Sequence, residues 1–255
     1  MGKIMFHFLK RHPIPIKAFF QHSLVLTYAL PQKLLRPLLP PGLSLDTYEN
    51  LGFIAVAMVQ TKRLRPAFMP AQCGQNFHLT GYRIFSRYRM NEGRRLLRGL
   101  RIIRSDTDRA LFRMFGNLLT HYNYRQAKMD VHATDGELRW AVKTPSGEAD
   151  LRVVADLESD AQLPAGSPFK DWREARKYTA PLPFTFDYER ETHSIVRIEG
   201  VRPKWHPRPV RVDVEECTFF RHPPFDKAAP LLANAFYVDA TDYSWKRGIR
   251  EALPN

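Results

Sequence analysis

Five consecutive residues, His121-Tyr122-Asn123-Tyr124-Arg125, bring together a proton-transfer group, two phenols, an amide and a fixed cation. On an extended backbone His121, Asn123 and Arg125 share one face and Tyr122 and Tyr124 the other, so only one set can face a cavity. In a functional reading His121 is a general acid or base near neutral pH, with Tyr122 and Tyr124 as further catalytic candidates. Asn123 and Arg125 then bind a carbonyl or carboxylate. The structural alternative is a polar turn whose tyrosines pack on the sheet and whose histidine satisfies backbone groups. Two more arginines are candidates for substrate binding. Leu100, Ile102 and Arg104 share a strand face, which puts a guanidinium at the end of an apolar row. There it needs an anion, either Asp106 or a ligand carboxylate. Arg83 poses the same question beside Leu79 and Phe85.

The elements that must position these groups read as β-rich. His22 to Ala29 is a strand, and Leu30-Pro31 opens a short helix that Pro40-Pro41-Gly42 stops. Phe53 to Gln60, Phe77 to Met90 and Gly99 to Arg104 are strands, the last two joined as a hairpin through Asn91-Glu92-Gly93. Ser105, Asp106 and Thr107 offer N-cap chemistry for a helix from about Asp108 to Phe115, which Gly116 closes. The segment from Asn117 to Arg125 must then cross the sheet. Strand-like runs follow at Ala127 to His132, Glu137 to Lys143, Asp150 to Ala155, Pro183 to Glu189, Ser194 to Glu199 and Val210 to Phe220. Trp172 to Tyr178 and Pro230 to Phe236 are short helix candidates. Strands without regular helical alternation predict one large antiparallel-rich sheet or barrel rather than a doubly wound fold.

Composition and charge narrow the function classes. With 44% hydrophobic and 25% charged residues the 255-residue chain can bury a sizeable core, which excludes a disordered or fibrous protein. Its longest apolar stretch, Leu51 to Val59, is far below the roughly 18 residues needed to span a bilayer. The start, through Phe6, shows no signal-peptide core and no myristoylation residue at that position, so a cytoplasmic location without membrane attachment is expected. Cys73 and Cys217 are too few and too isolated for a disulfide framework, and the nine histidines are scattered; neither a metal nor a cofactor is expected. No G-x-S-x-G, P-loop, G-x-G-x-x-G or H-E-x-x-H motif is present. Of the net +13, a large share lies between residues 83 and 113, where ten arginines, Arg94 among them, face Glu92, Asp106 and Asp108. Such a field favours an anionic partner or is simply a solvated basic hairpin.

The run from His22 through Leu39-Pro40-Pro41-Gly42-Leu43, then Thr80-Gly81-Tyr82-Arg83, Ser105-Asp106-Thr107-Asp108 and Phe115-Gly116, resembles a family of uncharacterised proteins, a domain of unknown function, in the acetoacetate decarboxylase-like superfamily. The likeness covers roughly residues 18 to 245 by order of elements. It implies a cone-shaped, mostly antiparallel β-barrel with a few peripheral helices and a ligand cavity inside. In the decarboxylases of that superfamily a lysine amine forms an imine with a β-keto acid, and a neighbouring lysine lowers its pKa. Those lysines follow a W-G-[FY]-P motif. The matching place here is Phe115-Gly116, followed by Asn117 to Arg125, and no lysine occurs between Lys62 and Lys128. Arginine, with a pKa above about 12, offers no free amine in its place. The family's arginine on the N-terminal strand would fall near Gln21, a second departure.

The sequence therefore predicts one domain over residues 1–255, α+β and β-rich, binding a small anionic carbonyl compound in a barrel cavity. Two functions stand side by side: a lyase or proton-transfer enzyme without the Schiff-base lysine pair, and a non-catalytic ligand-binding protein. Nucleic-acid binding through the Arg83 to Arg113 segment ranks below both, since no nucleic-acid module is recognisable. A homo-oligomer is allowed. At least two side chains of the 121–125 segment should line the cavity together with Arg83 or Arg104.

Overall fold

The computed structural model describes residues 7–90, 95–180 and 182–254. The elements that build the site are, in chain order, β1 (Ile16–Pro31), β2 (Leu51–Pro66), β3 (Gln75–Arg89), β4 (Leu96–Thr107), α1 (Ala110–Leu119), β5 (Tyr124–Gln126), β6 (Lys128–Ala133), β7 (Glu137–Lys143), β8 (Leu151–Asp156), α2 (Trp172–Thr179), β9 (Phe184–Glu189), β10 (Ser194–Val201), β11 (Arg211–Cys217), β12 (Leu231–Val238) and β13 (Thr241–Trp245). The strand pairings close on themselves. β1 pairs with β2, β2 with β3 and β3 with β4; β4 then pairs in parallel with β9, and the circuit returns through β10 and β13 to β1. β12 extends the β1 edge, and β5 lies parallel to β4.

Strand alternation sends alternate side chains into the ring and out of it. On β2, Ala55, Ala57, Val59 and Thr61 face the interior, while Ile54, Val56 and Met58 face outward into the main core. That outer face is covered by a second antiparallel sheet in the order β11-β8-β7-β6, whose Leu138, Trp140 and Val153 complete the core. Trp140 donates its indole N–H to the Thr80 hydroxyl at 3.1 Å, so the largest core side chain is buried without an unsatisfied donor. Inside the ring the alanines remove side-chain volume, and a cavity results.

Several local expectations need correction. α1 runs to Leu119, past Gly116, and its N-cap residue is Arg109 without a side-chain cap bond, because β4 keeps Ser105 to Thr107 in strand. Pro230 to Phe236 is not a helix: pairing with β1 takes Leu231–Val238 into the sheet. The prolines after Leu30 yield a single helical turn, Gln32–Leu35, followed by a 3-10 turn. α2 forms where expected, its first turn held by Asp171, whose carboxylate accepts from the Glu174 amide at 2.7 Å. The hairpin strands β3 and β4 pair out to Arg89 and Leu96, while the turn Asn91-Glu92-Gly93, with Arg94, lies outside the described residues, as does the start through Phe6.

Candidate functional site

The ring surrounds a cavity of about 480 Å³ whose walls come from β1, β2, β3, β4, α1, β5, β9 and β13. Its apolar lining includes Phe20, Val25, Phe77, Leu79, Phe85, Leu100, Ile102 and Phe112; Arg65, Arg83 and Arg202 are its cations, and no Asp, Glu or Lys lines it among the described residues. Arg83 reaches this interior because β3 alternation places it with Leu79 and Phe85. Its Nε is buried and has no hydrogen-bond partner. The titratable groups around it are three phenols, Tyr243, Tyr124 and Tyr122, rather than carboxylates; burial pushes its pKa down. Arg202 is pushed down as well, by burial first and by Arg83 against the favourable Tyr243, and its guanidinium lies over the Trp205 ring at 4.8 Å.

All three phenols line the cavity, and burial holds each above the usual tyrosine range. They therefore stay protonated at neutral pH and can donate to an anion. Two glycines make room for them. A Cβ on Gly116 would lie 2.5 Å from the Tyr124 ring, and one on Gly200 would lie 2.1 Å from the Tyr243 hydroxyl oxygen. Tyr124 is further fixed by Asn117, whose side chain accepts from the Tyr124 amide at 2.8 Å and donates to its carbonyl at 2.9 Å. Gly116→Ala should gain helix propensity of about 1 kcal/mol yet lower the melting temperature, because the Tyr124 ring must leave its place. A thermal melt checks the sign; an unchanged or higher value would mean that the ring yields freely.

Of the residues singled out from the sequence, Tyr122, Tyr124 and Arg83 meet at the cavity. The others do not. Arg104 points the opposite way, since Ile103 forms a bulge between the Tyr82–Arg104 and Arg83–Ile102 pairs, reversing the alternation that Leu100 and Ile102 begin. Its guanidinium is bound by Asp106, Nε to Oδ2 at 2.8 Å, and by Glu148. Arg125 also pairs with Glu148, and Asn123, in the left-handed region at φ 53°, is exposed and donates to the Ile103 carbonyl at 3.4 Å. His121 lies off the cavity lining; its backbone amide donates to Asp187 at 3.3 Å and burial pushes its imidazole pKa down. Lys128 is exposed on β6. In the arginine-rich segment Arg87 and Arg98 share Asp46, and Arg101 pairs with Asp187.

Sequence reasoning missed Arg202, Tyr243 and His12. His12 lines the cavity with an imidazole that burial pushes down to about 4 and an unpartnered Nδ1, so it is neutral at physiological pH. No spacing pattern connects these positions; ring closure brings them to Arg83. Among the described residues no group of three or more His, Cys, Asp or Glu is placed to hold a metal, and no helix is long and apolar enough to cross a membrane. What the site can do is bind an anion, polarise a carbonyl and stabilise developing negative charge on oxygen.

A family model described as "uncharacterized conserved protein" matches residues 17–241. A comparison with curated proteins finds no match. Among solved structures, an acetoacetate decarboxylase from Legionella pneumophila is similar with a TM-score of 0.61 at 12% identity, covering 94% of this chain and 88% of that one. The enduracididine biosynthesis enzyme MppR complexed with pyruvate is similar at 0.62 and 12% identity, covering 93% and 90%. An acetoacetate decarboxylase-like enzyme from Sphingomonas wittichii is similar at 0.57 and 14% identity, covering 93% and 94%. At these identities the likeness establishes the fold, which is acetoacetate decarboxylase-like.

Proposed function

The chain belongs to the DUF2071 family of uncharacterized conserved proteins, and on that premise we propose that it binds a small anionic carbonyl compound in the ring cavity without forming an imine. One observation carries the reading: Arg83 sits in a largely apolar space among three phenols, with its Nε unpartnered and, among the described residues, no carboxylate on the cavity wall. A guanidinium so placed is stabilised by an incoming carboxylate, which can take two parallel N–H bonds. MppR, of the same fold, was solved with pyruvate bound, itself an anionic carbonyl compound. The lining supports the departure from decarboxylase chemistry, since among the described residues it contains no lysine amine.

In the enzyme version the substrate carboxylate lies on Arg83, while Tyr122, Tyr124 or Tyr243 donates to the carbonyl oxygen as it gains charge during proton transfer or carbon dioxide loss. Neutral His12, which lines the same cavity, is a base available to it. The non-catalytic version needs only the anion contacts. Nucleic-acid binding is the weaker reading, because Arg87, Arg98, Arg101 and Arg104 are already paired with carboxylates and so offer less free charge to phosphates.

Two measurements test the proposal. Borohydride reduction with acetoacetate should leave the protein's mass unchanged, whereas a stable lysine adduct would restore the imine mechanism. Calorimetric titration with pyruvate and with a longer carboxylate should show binding that Arg83→Gln weakens at least tenfold; the absence of binding by both would defeat the anion-site reading.

A further inference from the structure

We propose, resting on that anion-site reading, that the natural ligand is amphipathic: a carboxylate or keto acid carrying an apolar body of about ten carbons, with its head on Arg83. Volume is the first argument. Water and a methylene group each take about 30 Å³, so 480 Å³ holds on the order of 16 non-hydrogen atoms, about twice the bulk of a four-carbon keto acid.

The second argument is how polarity is distributed. Arg83 interacts with the three phenols and with Arg202, so these groups form one polar cluster, while Arg65 and Gln75 line the opposite end past Phe77. Along β3 the interior positions beyond Arg83 are Leu79 and then Phe77. Across from them on β2, Ala57 is paired with Gly81 and Val59 with Leu79. The six-residue step from Arg83 to Phe77 spans about 20 Å of strand, and its far end carries the Phe77 and Phe112 rings, stacked at 3.8 Å. A small polar acid on Arg83 would leave this apolar wall facing water, whereas a chain laid along it buries both surfaces.

The test uses the whole chain and follows Trp205 and Trp245, both in the cavity wall, by fluorescence. Pyruvate, hexanoate, octanoate and decanoate are titrated, with decanol and decyltrimethylammonium as neutral and cationic counterparts. Affinity should rise about threefold to fourfold per methylene, so that decanoate binds on the order of 100-fold tighter than hexanoate. Decanol should bind at least tenfold more weakly than decanoate and the ammonium more weakly still, and Arg83→Gln should erase the advantage of acid over alcohol. The wild-type series stands whether or not that variant folds. If pyruvate binds and the chain-length series is flat, the amphipathic ligand is overturned and the small-anion site survives. If no carboxylate binds, both fall. If decanol or the ammonium matches decanoate, the head-on-Arg83 placement is wrong.

Discussion

Arg83→Met should raise the melting temperature and abolish carboxylate binding at once. A half-buried guanidinium with no carboxylate partner differs from a paired one. Arg104 is buried more fully than the half-buried Arg83, but its carboxylates Asp106 and Glu148 compensate it. Arg83 has phenols instead, and burial alone governs the downward direction of its pKa. Exchanging a desolvated ionic group for an apolar one of similar length is typically neutral or stabilising by about 1 to 4 kcal/mol, and for a chain of this size each kcal/mol moves the melting temperature by about 2 to 4 °C. A gain of about 5 °C is therefore expected by scanning fluorimetry in ligand-free buffer. Loss of stability would show that Arg83 holds the ring together rather than waiting for an anion. Arg104→Met is the counterpart, and it should destabilise, since it strands Asp106 in the interior.

Acid should weaken the fold well before its carboxylates titrate. His12 is buried, and its pKa is pushed down to about 4 by loss of solvation; His22 and His121 are shifted in the same direction, both chiefly by burial. Above the unfolded value of about 6.5 both states carry neutral imidazole and no linkage arises. As pH falls below it, the unfolded chain takes up protons that the folded chain refuses, so stability drops until the folded His12 protonates near 4. At about 1.4 kcal/mol per pH unit the loss from His12 is on the order of 3 kcal/mol. Urea midpoints measured from pH 7.5 to 4.5 should decline steadily, and His12→Gln should flatten the decline. A midpoint independent of pH over that range would mean that His12 is solvated when folded.

The residues that sequence reading placed correctly are those for which alternation runs uninterrupted. Leu79, Arg83 and Phe85 keep period two on β3 and reach the cavity together, and the apolar run of β2 divides cleanly into an inner and an outer face. Alternation failed where one residue breaks it. The bulge at Ile103 turned Arg104 outward; in the 121–125 segment, by contrast, one alternating set, Tyr122 and Tyr124, faces the cavity even with Asn123 in the left-handed region. Ser105-Asp106-Thr107 looked like a helix cap because its residue types favour one, but strand pairing with β3 claimed all three. Arg202, Tyr243 and His12 could not be read at all: they reach Arg83 only through ring pairings between distant parts of the chain, such as β1 with β13 and β10 with β13, and no local pattern encodes that.

The most direct test of an anion site at Arg83 is a crystal structure of the protein soaked with 4-bromobenzoate, located by the bromine's anomalous signal. The account predicts bromine within the ring, on the apolar side toward Phe77, with the carboxylate within about 3.2 Å of the Arg83 guanidinium. Bromine only outside the ring, or inside it with the carboxylate turned away from Arg83, would contradict it.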